Sequence, residues 1–348
     1  MNPARAAASI IDSFSDALNV LPLGLMVTVY VMFLRYVSWS LVSRVDDELR
    51  EMSKIFDLVI VGYGDIGRRV SGLFIKRSRI LGITRSSSGT GPRGLTNLRV
   101  INVDLDSSSQ VARITKLCQN VVYLAPPNQD SLSDDRLRTF LNGLQSSVRI
   151  PHRFVYVSTT GVYGDRRGEF VTETDDVNPQ TDRARRRVDA ERQLRAWSRR
   201  HGGCVSILRV PGIYSDTRLP IDRLKQGVSV LQSRDDSYSN HIHAHDLARL
   251  VLLTLFRGKP GRIYNCCDES EMRMGDYFDL VADRFSIPRP PRIDRDEAER
   301  TLSPMLLSFM NESRRVSNVR MKRELMSDLK FPSVEEGLVA ATTSSKAL

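Results

Sequence analysis

From Ile55 onward, short apolar runs alternate with stretches whose apolar positions recur every three or four residues. Leu58 to Val61 is the first run, and it leads directly into Gly62-Tyr63-Gly64-Asp65-Ile66-Gly67. A helical pattern follows, with Val70, Leu73 and Phe74 apolar and Arg68, Arg69 and Lys76 polar. Arg79 to Thr84 predicts a second strand, Arg99 to Leu105 a third, Asn120 to Ala125 a fourth and Arg153 to Ser158 a fifth. Between them, Ser107 to Cys118 shows helical spacing on Val111, Ile114 and Leu117, and Asp134 to Val148 shows it on Leu137, Phe140, Leu141 and Leu144. A longer helix is expected from about Gln180 to Arg200. This alternation defines an α/β class: a doubly wound parallel sheet of Rossmann type, with ligands at the carboxyl ends of its strands.

The glycine run is where chemistry enters. A G-x-G-x-x-G that closes a strand and opens a helix is a dinucleotide cradle. Gly62 permits the tight turn, Gly64 lets the backbone approach a pyrophosphate, and Gly67 lets helix and strand pack closely. The helix that opens at Asp65 and Ile66 offers unpaired N–H groups and a positive dipole end to the phosphates. In an NAD site, an acidic residue about 20 residues past the first glycine holds the ribose 2′-OH. Here that place reads Thr84-Arg85-Ser86, an arginine with hydroxyls, which suits a 2′-phosphate and favours NADP over NAD. Arg68 is a second cation for that phosphate, and Asp104 an acceptor for an adenine amino group. Leu124, Ala125 and Pro126, where the fourth strand ends, border the same edge.

Composition adds little to this. Of 348 residues, 41% are hydrophobic and 26% charged, the balance of an ordinary globular protein. The net charge of +10 points to anionic ligands, yet the arginines are spread along the chain and no basic tract has the interleaved aromatics of a nucleic-acid arm. Cys118, Cys204, Cys266 and Cys267 form no C-x-x-C pair, which fits inert thiols in a reducing cytoplasm. Residues 1–51 stand apart as an N-terminal extension. Ala17 to Leu34 carries no charge and is at the lower limit for a membrane span, with Arg35 and Arg44 behind it. Three readings remain open: an inner-membrane anchor with the body in the cytoplasm, a docked soluble helix, or a start at Met52.

Four further features follow the glycine turn in order. They are Ser158-Thr159-Thr160-Gly161-Val162-Tyr163-Gly164, the helix near 180–200, Leu208 to Tyr214 with Val210-Pro211-Gly212, and Asn240 to Ala248. Together they resemble the extended short-chain dehydrogenase/reductases, which include the nucleotide-sugar epimerases and dehydratases. The resemblance spans Lys54 to Leu338 and takes in Ser313-Arg314-Arg315-Val316-Ser317-Asn318 and Lys330-Phe331-Pro332-Ser333. It implies a hydride-transfer site with NADP, or alternatively NAD, and Val210, Pro211 and Gly212 beside the cofactor. It also implies a Ser or Thr after the fifth strand, here Ser158 and Thr159, holding the substrate oxygen. A Tyr acid/base and a Lys one helical turn later complete the family's set.

At that last point the chain departs from the family. With Glu191 at the family's helix carboxylate, the Tyr position falls on Arg183 and the Lys position on Arg187, and no Tyr or Lys occurs from Gly164 to His201. Arginine stays protonated, so Arg183 cannot exchange a proton. Arg187 can still hold ribose hydroxyls or an anion, while Arg185 and Arg186 read as a solvated face salted by Asp189 and Glu191. Tyr163 is the substitute acid, with Arg187 as the cation that would lower its pKa. Two functions then stand: an NADP-dependent oxidoreductase or epimerase/dehydratase-like enzyme with a displaced acid, and a non-catalytic NADP(H)-binding sensor or scaffold.

His241, His243 and His245 alternate as metal ligands on a strand would. The family's strand-to-helix entry explains them without metal, with Asp246 capping a helix from Leu247 to Phe256. The layout is therefore an N-terminal extension over 1–51, an NADP-binding domain over 52–211, and a smaller α/β substrate lobe over 212–348 from which 240–267 returns to the sheet. Arg218, Arg223, Lys225, Arg314 and Arg315 in or near the lobe suit a small anionic substrate. Relatives often pair through two helices of the sheet layer, so the resemblance allows a homodimer.

Overall fold

The computed structural model of this chain describes residues 56–74, 78–85, 97–147, 150–326 and 328–345. The readings of residues 1–51 and of Ser86 lie outside the described residues. The first half alternates as its apolar pattern requires: β1 (Leu58–Val61), α1 (Asp65–Leu73), β2 (Ile80–Thr84), β3 (Leu98–Asn102), α2 (Ser108–Thr115), β4 (Asn120–Tyr123), α3 (Asp135–Gln145) and β5 (Arg153–Thr159). A 3₁₀ turn (Thr160–Tyr163), β6 (Phe170–Val171), α4 (Asp182–His201), β7 (Cys204–Val210) and β8 (Gly212–Tyr214) follow. Next come α5 (Ile221–Lys225), β9 (Val230–Leu231), β10 (Tyr238–Ser239), β11 (His241–His243), α6 (Ala244–Arg257) and β12 (Ile263–Asn265). The tail holds β13 (Met272–Arg273), α7 (Met274–Arg284), β14 (Arg292–Ile293), α8 (Arg295–Thr301), α9 (Pro304–Met310), β15 (Arg315–Val316), α10 (Val319–Glu324) and α11 (Val334–Ser345).

Seven strands form one sheet in the order β12-β7-β5-β4-β1-β2-β3, every pair parallel. β1 is buried at all four positions, as a central parallel strand covered on both faces must be. One face packs Tyr123, Phe140, Phe154 and Trp197 against α2, α3 and α4. The other packs Ile60, Val122 and Leu208 against α1 and α6. A third core gathers around Tyr214, Leu231, Tyr277, Phe278 and Val334. Among the described residues no helix is long and apolar enough to cross a membrane. Cys118, Cys266 and Cys267 are buried free thiols, and Cys204 is half-buried.

Local chemistry sets the helix ends. Asp134 caps α3 by accepting from the Leu137 N–H at 3.0 Å. Thr181 caps α4 through Ala184, and Gly202 closes it in the left-handed conformation. Two expectations are corrected here. The helix after the histidines starts at Ala244, three residues early, because His243 is the cap and its Nδ1 accepts from the His245 N–H at 3.2 Å. Asp246 is turned to another task, accepting from the Lys330 and Phe331 N–H groups at 3.0 and 2.8 Å.

Candidate functional site

The glycine turn carries out its geometry residue by residue. Gly62 has φ +89, and a Cβ there would lie 2.5 Å from the Ala125 nitrogen, so only glycine fits. A Cβ on Gly67 would press Ile60 at 3.2 Å. Gly64 faces open space instead. It precedes α1, whose N-terminus has no side-chain cap, so the N–H groups of the first turn point into that space. Tyr63 is buried against Gly82 of β2, where any side chain would strike its ring, and its hydroxyl pairs with Ser71 Oγ at 2.8 Å.

This turn forms one wall of a cleft of about 780 Å³ at the carboxyl edge of the sheet. Gly62, Gly64, Asp65, Ile66, Gly67, Leu124, Pro126, Val210, Pro211 and Gly212 line it, together with Ser158, Thr159 and Arg187. Arg68, Thr84, Arg85, Asp104 and Ala125 are not among its lining residues. Asp104 is exposed and its Oδ1 accepts from the Asp106 N–H. Its lining also includes Tyr238, Met274, Ser308, Glu312 and Arg314 from the C-terminal part of the chain.

Tyr163 corrects an expectation. It is 0% exposed, and its hydroxyl donates to Asn265 Oδ1 at 2.7 Å. Its ring lies under the Arg209 guanidinium, 4.7 Å away. Burial raises its pKa despite that cation, so it neither reaches the cleft nor loses its proton readily. It belongs to a buried chain of polar groups. Arg209 forks onto Glu191 at 3.1 and 2.8 Å, and Glu191 accepts from Ser158 Oγ at 2.7 Å. Ser158 is therefore at the cleft edge with its proton directed inward. Glu191 is buried here, not solvated beside the arginines of α4.

Thr159 keeps its place at the cleft. Its Oγ1 accepts from the Gly161 N–H at 3.2 Å and caps the 3₁₀ turn. Gly164, which ends that turn at φ +64, has the Asn178 carbonyl where a Cβ would stand. Arg187 Nη1 donates to the Tyr156 hydroxyl at 2.7 Å and the Val157 carbonyl at 3.1 Å. Tyr156 in turn lies 3.5 Å from Asp134, whose own pKa is raised by burial. Burial opposes the Arg187 charge, but Tyr156 and Asp134 outweigh it and hold its pKa high.

Arginines were the underestimated part of the sequence. Arg183, Arg186, Arg187, Arg218 and Arg314 all line the cleft. Arg186, read as solvated, reaches back to donate to the Ser131 carbonyl at 3.0 Å. Burial lowers the pKa of Arg183, and the like charges of Arg187 and Arg314 add to this while Glu312 opposes it. Arg218 crosses to Asp65 at 3.5 Å, and Asp65 also accepts from Arg69 at 2.9 Å. Glu312 carries no sequence signal, since it lies in a non-periodic stretch between α9 and β15. The histidines lie elsewhere: His241 stacks on Tyr277 at 4.3 Å and His243 packs on Phe331 at 4.0 Å.

Comparisons with known proteins agree with this geometry. The NAD dependent epimerase/dehydratase family matches residues 58–267. A dTDP-D-glucose 4,6-dehydratase of Mus musculus is 27% identical over 128 residues, 34% of this chain and 36% of that protein. Protein YeeZ of Escherichia coli (strain K12) is 30% identical over 142 residues, 41% and 49% of the two chains. The chain thus spans half or less of the curated relatives it matches. A functionally unknown conserved protein from Silicibacter pomeroyi DSS superposes with TM-score 0.70 at 26% identity, covering 84% of this chain and 99% of that one. The dTDP-glucose 4,6-dehydratase DesIV of Streptomyces venezuelae, solved with NAD bound, shares the fold at TM-score 0.67 and 19% identity, covering 83% and 96%.

Proposed function

The chain belongs to the NAD dependent epimerase/dehydratase family, and from that premise we propose that it is an NADP(H)-dependent oxidoreductase of an anionic, nucleotide-linked sugar. It is an atypical extended short-chain dehydrogenase/reductase, with the cofactor turn kept and the Tyr–Lys pair replaced by Arg183 and Arg187. The observation that carries the reading is the meeting of the glycine turn and five arginines in one cleft.

Gly62, Gly64 and Gly67 would hold the cofactor pyrophosphate with the N–H groups that open α1, and Arg218 adds a cation beside them. Thr84, Arg85 and Arg68 favour a 2′-phosphate. Asp106, whose carboxyl Arg85 also helps to hold down, takes both of its side-chain hydrogen bonds from Arg136, at 2.8 and 2.7 Å. Bound nicotinamide supplies a hydride acceptor or donor.

The chain's own residues then divide the work without the family's Tyr. Thr159 Oγ1 already accepts from a backbone N–H, so its proton is directed at the substrate oxygen. Arg187 is fixed to β5 by two hydrogen bonds, and Arg183 sits one helical turn before it. Neither exchanges a proton. Both stabilise the negative charge that develops on the substrate oxygen when hydride reaches its carbon, and the proton that completes the alcohol would pass through the Thr159 hydroxyl from water in the cleft, with the reverse path for oxidation.

The test uses NADP⁺ and NADPH with a panel of nucleotide sugars and their keto forms, read by nicotinamide absorbance and product analysis. Turnover should fall at least 100-fold in Arg183→Ala and persist in Tyr163→Phe. Tight NADPH binding with no turnover on any substrate would favour the sensor or scaffold reading.

A further inference from the structure

We infer that Glu312 is the specificity-determining residue of the lobe side of this cleft, its one unpaired carboxylate oxygen accepting a hydrogen bond from a sugar hydroxyl of the substrate. The inference rests on the reading of the cleft as a site for a cofactor and a nucleotide-linked sugar.

The residue is fixed in place by the backbone around it. β15 pairs with β6 in parallel, Arg315 against Phe170 and Val316 against Val171. The Ser313 carbonyl accepts from the Arg166 and Gly168 N–H groups at 2.8 and 3.0 Å. The Ser313 N–H donates to Asp165 at 2.9 Å. The segment that carries Glu312 is thereby clamped to the loop after the 3₁₀ turn, opposite the first turn of α4.

The side chain lines the cleft yet is only 7% exposed. Both hydrogen bonds from Arg314, from Nη1 and Nη2 at 2.9 Å, fall on the same oxygen, Oε2. Oε1 is buried and has no partner, and neither has Arg314 Nε. A structural ion pair in this same molecule looks different: Arg209 forks onto both oxygens of Glu191. Arg314 is also anchored independently, donating to the Gly164 carbonyl at 2.7 Å. Glu312 is thus held by one oxygen, while the other is buried at the cleft wall without a partner, an acceptor that costs stability unless a donor meets it.

The chemistry of the donor follows from the surroundings. Arg183, Arg186, Arg187 and Arg218 line the same cleft and select an anionic ligand. A carboxylate among them repels phosphate but accepts from hydroxyl. Among the described residues no group of three His, Cys, Asp or Glu stands ready to hold a metal ion. The ligand that satisfies both features carries phosphate for the arginines and a polyol for Glu312.

Calorimetric titration of the full chain saturated with NADP⁺, using UDP-glucose and UDP as probes, tests this. Wild type should bind UDP-glucose more tightly than UDP. Glu312→Ala should weaken UDP-glucose by about 10-fold or more, while UDP and NADP⁺ bind as in wild type or more tightly, since a repelling charge is gone. Glu312→Gln, which keeps a neutral acceptor, should fall between, and it carries the comparison if a thermal melt shows the alanine variant unfolded. Equal weakening of both probes, no weakening of either, or wild type that binds neither overturns the inference. Loss of NADP⁺ binding by wild type itself would instead refute the cofactor reading.

Discussion

Tyr163, Arg209, Glu191 and Ser158 form one buried chain, with the phenol under the guanidinium and the serine proton on the carboxylate. Its energetics separate structural from chemical roles. Tyr163→Phe removes one hydrogen bond and leaves Asn265 Oδ1 short of a donor. That should lower unfolding free energy by about 1–3 kcal/mol in denaturant titrations, with NADPH affinity unchanged. Glu191→Ala leaves Arg209, almost fully buried, without its counter-charge, and should cost about 3–5 kcal/mol. At this scale the sequence was half legible. Arg183 and Arg187 could be placed by their spacing to Glu191. The inward turn of Tyr163 could not, because Asn265 and Arg209, its partners, are remote in sequence and nothing local announces them.

At the scale of elements, alternation of apolar runs and amphipathic stretches was enough for all five early strands and the helices between them. The ends were set by chemistry that periodicity does not carry. His243 took the cap expected of Asp246 because Asp246 secures the 330–331 segment. Between Asp294 and Met310 the chain forms two helices rather than one, since Leu302 leaves helical geometry and Pro304 opens α9 with Ser303 as its cap. The glycine turn yields a paired prediction. Gly62→Ala forces a Cβ onto Ala125 in a positive-φ conformation, and should lower the melting temperature and abolish cofactor binding together. Gly64→Ala adds a methyl to open space on the cofactor side. It should weaken NADPH by 10-fold or more while the melting temperature stays within a few degrees.

At the scale of the whole molecule, two buried histidines of β11 are held neutral. Burial pushes His241 and His243 down to about 4. A histidine lowered in the fold stabilises above its unfolded value of about 6.5, and that contribution is lost as pH falls from there to about 4. The unfolding free energy should therefore fall on acidification through this window, by up to about 3 kcal/mol for each residue, as denaturant titrations at a series of pH values would read. His241→Phe, which keeps the stack on Tyr277, should flatten the slope. Asp268 has the opposite sign, its carboxyl raised by burial to about 8, so Asp268→Asn should gain stability relative to wild type as pH rises from about 4 to 8.

The cleft itself is a property of this whole-molecule scale. Its near wall is a turn that the sequence announces, and its far wall is assembled from Tyr238 and Met274, which the β10–β13 pairing brings together, and Glu312, which the β15–β6 pairing positions. The net charge of +10 in the sequence hinted at anions, but which arginines face inward depended on the fold. Isothermal titration of NADP⁺ and NAD⁺ into the full chain measures the central claim directly. One NADP⁺ should bind per chain, at least 10-fold more tightly than NAD⁺, and Arg85→Ala should erase the difference. No binding of either nucleotide, or tighter binding of NAD⁺, would contradict the account.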